Sequence, residues 1–191
     1  MDQVVCAVFK IFPMVINWMR GIRCSAPLNG LVLSIGKSQL VKSLQAHQKN
    51  LKLIDLESQV LLECSKEEQE KLQDLKNKQE MQTYNQKFKV LAKDYVKSLR
   101  TNFKNEKFIL VASDMELLVY CGVKKNNITS FVPSNAFWKQ IGEAIEDPTI
   151  KAVYESARQT LIINNKSLNV FSNYDELYSM CSRLFGLKAI L

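Results

Sequence analysis

Short apolar runs alternate along this chain with longer segments in which apolar side chains recur every three or four residues. The short runs are typical of strands buried on both faces, and the longer segments are typical of amphipathic helices. The alternation predicts an α/β fold, with a parallel sheet of about five strands flanked by helices. The predicted strands are Leu31–Ile35, Leu51–Leu56, Lys107–Ala112, Ile128–Val132 and Leu168–Phe171.

The helices predicted from the same periodicity follow or precede these strands. They are Lys37–Gln48, Met115–Cys121, Asn135–Ile145, a helix starting at Asp147-Pro148 and running to about Ile162, and Tyr174–Phe185.

The most polar part of the chain runs from Ser58 to about Asn105, is rich in Glu, Lys and Gln, and contains neither glycine nor proline. It predicts a long helical region, and Ser65 with Glu68 is a capping-box pattern inside it. Because Lys66–Lys89 has few large apolar side chains, we expect it to project into solvent or to pair with another helix. The predicted domain thus spans residues 31–191, with a polar helical excursion at about 60–105.

Residues 1–30 form a separate segment, an apolar run followed by a loop. The run Val4–Met19 is interrupted by polar residues and a proline, and it is shorter than the roughly 20 apolar residues of a membrane-spanning helix. The basic residues that begin a signal peptide do not precede it. We expect it to pack on the domain or on a protein partner, with peripheral membrane contact as the alternative.

Composition and charge narrow the function classes only modestly. The chain has 191 residues, 47% of them hydrophobic and 24% charged, which is typical of one globular domain. The net charge of +7 favours an anionic ligand or partner without selecting one. Nucleic-acid binding is disfavoured because no motif combines aromatic with basic residues.

The cysteines and the histidine exclude some chemistry. The five cysteines are odd in number and far apart, which predicts reduced thiols in a cytoplasmic protein: Cys6, Cys24, Cys64, Cys121 and Cys181. A single histidine, His47, excludes a histidine-rich metal site.

The strongest chemical signal is Gly36-Lys37-Ser38, which follows the first apolar run and begins a helix. Glycine lets backbone N–H groups approach a phosphate, lysine reaches the terminal phosphates, and the serine hydroxyl holds Mg²⁺. The full pattern has a glycine five residues before Gly36, where this chain has Leu31. If this apolar stretch is the first strand, only Ile35 and Gly36 remain to turn the chain, too few to surround a triphosphate.

This motif, with the order of strands and helices around it, resembles a P-loop NTPase. More narrowly, the chain is similar to small nucleoside and nucleotide kinases over about residues 31–191. The resemblance implies that Lys37 contacts the transferring phosphate and that Ser38 ligates Mg²⁺, both being positional and electrostatic roles. It also implies that Asp55 or Glu57, at the end of the second strand, lies near the acceptor hydroxyl.

Two further residues take roles from the same resemblance. Asp114 follows the third predicted strand, where such kinases orient Mg²⁺ through water. Arg158, with Lys151, lies between the fourth and fifth strands, where a kinase lid supplies arginine to the phosphates. Asp55 and Asp114 have an alternative interpretation as helix caps, and Arg158 as a solvated helix residue.

The function implied by the resemblance is binding of ATP or a related nucleotide with Mg²⁺, followed by phosphoryl transfer if the protein is an active kinase or NTPase. The alternative is a catalytically inactive P-loop-like fold that serves as an interaction or structural protein. Its contacts would then be the apolar N-terminus and the polar central helices.

Overall fold

A computed structural model describes residues 28–33, 35–45, 51–103, 106–164 and 168–185. The apolar run Val4–Met19 and His47 lie outside these residues, so the predictions made for them stay predictions. The last residues of the first predicted helix, 46–48, also lie outside them.

Five strands form one parallel sheet, which confirms the predicted α/β fold. Each predicted strand is present, with small differences at the ends. The strands are β1 (Asn29–Leu33), β2 (Leu51–Asp55), β3 (Lys107–Ala112), β4 (Ile128–Pro133) and β5 (Asn169–Phe171). Their order in the sheet is β2-β3-β1-β4-β5, so the first strand is the centre of the sheet.

Eight α-helices cover the two faces of the sheet in the described part of the chain. They are α1 (Lys37–Gln45), α2 (Leu56–Glu63), α3 (Lys66–Asn77), α4 (Met81–Asn102), α5 (Met115–Tyr120), α6 (Asn135–Glu143), α7 (Pro148–Asn164) and α8 (Tyr174–Phe185). A short 3₁₀ turn, Lys125–Asn127, precedes β4.

The long helical region predicted after β2 is divided into three helices. The first ends at Glu63, with Cys64 as its C-cap. Ser65 begins the second, because it forms a complete capping box with Glu68. Gln79, at a φ of 58°, turns the chain between α3 and α4. The expected end of the second strand at Leu56 was also wrong, since Asp55 caps α2 and Leu56 is its first residue.

Neighbouring residues of β1 point to opposite faces of the sheet and enter two separate cores. Val32 belongs to the core covered by α2, α4, α5 and α7, which we call the first face. Leu31 and Leu33 belong to the core covered by α1 and α8, the second face. Burial on both sides explains why the strands are continuous apolar runs.

Within the polar excursion one helix pairs with another, which is one of the two arrangements expected from the sequence. α3 packs on α4, and its two buried leucines, Leu72 and Leu75, are 3% and 8% exposed. The rest of α3 faces solvent with ion pairs one turn apart, such as Lys71–Glu67 at 2.6 Å. Across the described ranges, no helix is long and apolar enough to cross a membrane.

Candidate functional site

The loop after β1 is short because the strand and the helix almost meet. β1 ends at Leu33 and α1 begins at Lys37, so three residues, 34–36, connect them. The expectation of two residues was wrong because the strand begins and ends two residues earlier than predicted. Gly36 has a φ of 82°, a conformation that favours glycine, and its carbonyl accepts the amide hydrogen of Leu40 at 2.9 Å.

An aromatic side chain from the last helix covers this loop. A Cβ added to Gly36 would lie 2.7 Å from Cε1 of Tyr174, the first residue of α8. The ring of Tyr174 meets Phe137 edge-on, with centroids 5.4 Å apart, and burial raises the pKa of the tyrosine hydroxyl. The sequence placed Tyr174 at the start of a helix, but its contact with Gly36 depends on tertiary packing.

Ser38 and Asp55 are brought together by the fold. The Ser38 hydroxyl donates a hydrogen bond of 2.6 Å to Oδ2 of Asp55, which is only 5% exposed. The other carboxylate oxygen accepts the amide hydrogen of Ser58 at 3.4 Å, so Asp55 also caps α2. Thus a residue of the Gly-Lys-Ser motif is joined to the acidic end of β2.

A second carboxylate joins the ends of β2 and β3. Oε1 of Glu57 accepts hydrogen bonds from the backbone amide and the hydroxyl of Ser113, at 2.6 and 2.5 Å. Its Oε2 is buried and has no hydrogen-bond partner within the described residues. Asp114, the next residue after Ser113, is exposed and caps α5 by accepting the amide hydrogen of Glu116 at 2.9 Å.

Arg158 is buried, not solvated, and lies at the end of β4. Its Nη2 donates to Oδ1 of Asn135 at 2.5 Å and to the carbonyl of Pro133 at 3.5 Å. The guanidinium lies 5.6 Å from the ring centroid of Trp138, and Nε is buried without a partner among the described residues. Within the described residues, Arg158 thus contacts β4, α6 and, at 3.9 Å from Nη1, Glu155 of its own helix. None of these contacts joins it to Gly36 or Ser38.

Lys37 is the candidate residue whose charge is least engaged. It is partly buried at the first position of α1, and among the described residues it takes part in no ion pair. Within the described residues, no acidic side chain therefore neutralises its ammonium group.

The residues beside Lys37 carry the type of donor atom that binds magnesium. Ser38 and Asp55 offer oxygen ligands only, which Mg²⁺ prefers. The described part of the chain holds no group of three or more acidic, histidine or cysteine side chains that could bind a metal. A magnesium ion here would take its remaining ligands from water and from a phosphate, as is usual for this metal.

Comparisons of the chain with protein-family models, with curated proteins and with solved structures found no match.

The contact between Gly36 and Tyr174 gives a prediction with an internal control. Gly122 has a similar φ of 93°, but an added Cβ there meets nothing within 4 Å. We expect Gly122→Ala to lower the free energy of unfolding by about 1 kcal/mol from backbone strain alone. Gly36→Ala should cost about 1 to 3 kcal/mol more, because overpacking is added to the strain.

Urea denaturation of the two variants measures this difference. Tyr174→Ala should remove the excess cost of Gly36→Ala, because it removes the ring that the new methyl group meets. Equal costs at the two glycines would show that Tyr174 does not pack on the loop.

Proposed function

We propose that this protein is a nucleotide-kinase-like α/β protein that binds a nucleotide with Mg²⁺ weakly at the Gly36–Ser38 turn. The observation that carries this proposal is the 2.6 Å hydrogen bond from Ser38 to Asp55, directly after a glycine of positive φ. These residues lie at the carboxyl end of a parallel sheet and beside its central strand. That end is where open α/β sheets bind ligands.

Three parts of the turn support phosphate binding. α1 places its first amide groups and the positive end of its dipole at Gly36. Lys37 adds an ammonium group that no described side chain neutralises. Ser38 and Asp55 add the oxygen donors of a magnesium site, so that the lysine and a bound Mg²⁺ can both balance the negative charge of a phosphate.

The same geometry supports weak affinity. Three residues connect β1 to α1, and the Tyr174 ring packs against Gly36. A loop of this length presents amide groups to one phosphate and cannot surround two. We therefore propose nucleotide binding with a dissociation constant of about 1 mM, or about −4 kcal/mol, and propose no phosphoryl transfer.

The second candidate function is an interaction or structural role in which the turn binds no nucleotide. It is favoured by the internal hydrogen bonds of the candidate residues. Asp55 and Asp114 cap helices, Glu57 holds Ser113, and Arg158 holds Asn135. In either case we propose a cytoplasmic setting, in line with the free thiols of Cys64, Cys121 and Cys181.

The proposal is tested by adding Mg-ATP to the isotope-labelled chain and following backbone amide signals by NMR. We expect shifts centred on Gly36, Lys37 and Ser38 that saturate near millimolar concentration and need Mg²⁺. Lys37→Ala should abolish them, because it removes a cation that no described acidic side chain neutralises.

Lys42→Ala is the matched control, since Lys42 is an exposed lysine of the same helix one turn further on. It should leave the titration unchanged. Micromolar affinity in the native chain would show that the short loop suffices as it stands. No shift at Gly36 at any Mg-ATP concentration would reject nucleotide binding and leave the interaction role.

A further inference from the structure

A groove of about 910 Å³ crosses the first face of the sheet between α5 and α7. It extends from Asp114, at the carboxyl end of β3, to Lys125, just before β4. Met115, Val119 and Leu161 give it an apolar lining between these polar ends.

The apolar surface continues beyond the groove along α7. Ile150 and Val153 are 47% and 61% exposed. With Ala157 and Leu161, which line the groove, they recur at intervals of three or four residues and therefore share one face of the helix. This row is about 17 Å long at 1.5 Å per residue. An apolar helix face of this length, beside an open groove, is the surface that a helix normally buries.

One end of the groove lies near Leu28, the first described residue. The carbonyl of Leu28 accepts a hydrogen bond from Nδ2 of Asn127 at 3.4 Å. Asn127 is two residues from Lys125, which lines that end of the groove. Leu28 is also buried in the core of the first face, together with Leu161. Leu28, to which residues 1–27 are attached, thus lies on the face that carries the groove.

We propose that the apolar run Val4–Met19 occupies the groove between α5 and α7. The run carries nine aliphatic or aromatic residues among its first twelve, enough to cover an apolar row of that length. Residues 20–27 connect it to Leu28, and eight residues can span up to about 27 Å, longer than the row on α7. The occupant is therefore a segment of the same chain.

Cys6 allows a direct test in the full-length chain. Cys24 and Cys64 are replaced by serine, and a nitroxide spin label is attached to Cys6. Cys121 and Cys181 stay unlabelled because they are 6% and 0% exposed, and burial raises the pKa of the Cys121 thiol to about 12. We expect strong paramagnetic broadening of the methyl signals of Val119 and Leu161. Leu44, in the core of the second face, should be unaffected.

A pair of alanine substitutions on α7 tests the location. Ala157→Glu puts a charge into the groove and should reduce the broadening of Leu161 to the level of Leu44. Ala152→Glu is the matched control, because Ala152 is exposed on the same helix and does not line the groove. It should leave the broadening as it is.

Mixing two differently labelled chains shows whether the segment in the groove comes from the same molecule or from a second copy. A spin-labelled chain without isotopes is mixed with an isotope-labelled chain without the spin label, and no broadening is expected. Broadening in the mixture would overturn the proposal in favour of a second copy that supplies the segment. Unbroadened groove methyls in the singly labelled chain would also overturn it, since the run would then lie elsewhere, on a membrane or on another protein.

Discussion

Inserting a full glycine-rich loop between Ser34 and Lys37 is expected to raise the affinity for Mg-ATP about a thousandfold, from about 1 mM to about 1 μM, a gain of about 4 kcal/mol. The reason is that a longer loop directs several amide groups at the β- and γ-phosphates, while Ser38 and Asp55 are already hydrogen-bonded to each other next to Lys37. Isothermal titration calorimetry of the native chain and the graft measures the gain.

Two controls separate a functional loop from a merely longer one. The graft combined with Lys37→Ala should lose most of the gained affinity, because the lysine of a P-loop contacts the terminal phosphates. An insert of equal length without glycine should gain little, since its amide groups cannot converge on an anion. A folded graft that binds no Mg-ATP would reject the P-loop interpretation itself.

Phe131→Ala is expected to lower the free energy of unfolding by about 3 to 5 kcal/mol, the range for a large aromatic side chain removed from a core. Phe131 is fully buried in β4 and lies in the core of the second face with Leu33 and Phe171. Its ring therefore supports the central strand directly beside the candidate site.

Phe103→Ala is the comparison for this substitution. Phe103 is only partly buried and carries Lys52 over its ring, at 4.0 Å from Nζ to the centroid. We expect a cost of about 1 kcal/mol there, from a partly exposed ring and a cation–π contact. Urea denaturation gives both values. A similar cost at the two positions would contradict the placement of β4 inside the sheet.

The strands were the most predictable part of this molecule because burial on both faces leaves an uninterrupted apolar run. Lys107–Ala112 has its predicted bounds, and each of the other strands differs by one or two residues at its ends. The start of the first strand was predicted two residues too late, because Asn29 and Gly30 are residue types typical of a turn. In the structure Gly30 lies under Leu118, where the position a Cβ would take is 2.5 Å from that side chain. Close packing of β1 against α5 therefore outweighed the local preference of these two residues for a turn.

For the site, the sequence could predict which residue types lie at the ends of strands, but not most of the contacts that they make. That Ser38 and Asp55 meet follows from the parallel sheet, since both lie at its carboxyl edge. The engagement of Asp114 as the cap of α5 was foreseen as an alternative, because Asp before a short apolar helix is a common cap. The burial of Arg158 was not foreseen, since its partners Asn135 and Trp138 are about 20 residues away and belong to another helix.

The contact of Tyr174 with Gly36 makes the loop and the last helix parts of one mechanical unit. The ring is held between Phe137 on one side and Tyr178 on the other, so it can leave Gly36 only by changing rotamer or by moving α8. Rotamers are discrete, and a packed core deforms little by continuous amounts. The loop should therefore switch between a covered and an uncovered arrangement, and the NMR signals of the Tyr174 ring would report each change.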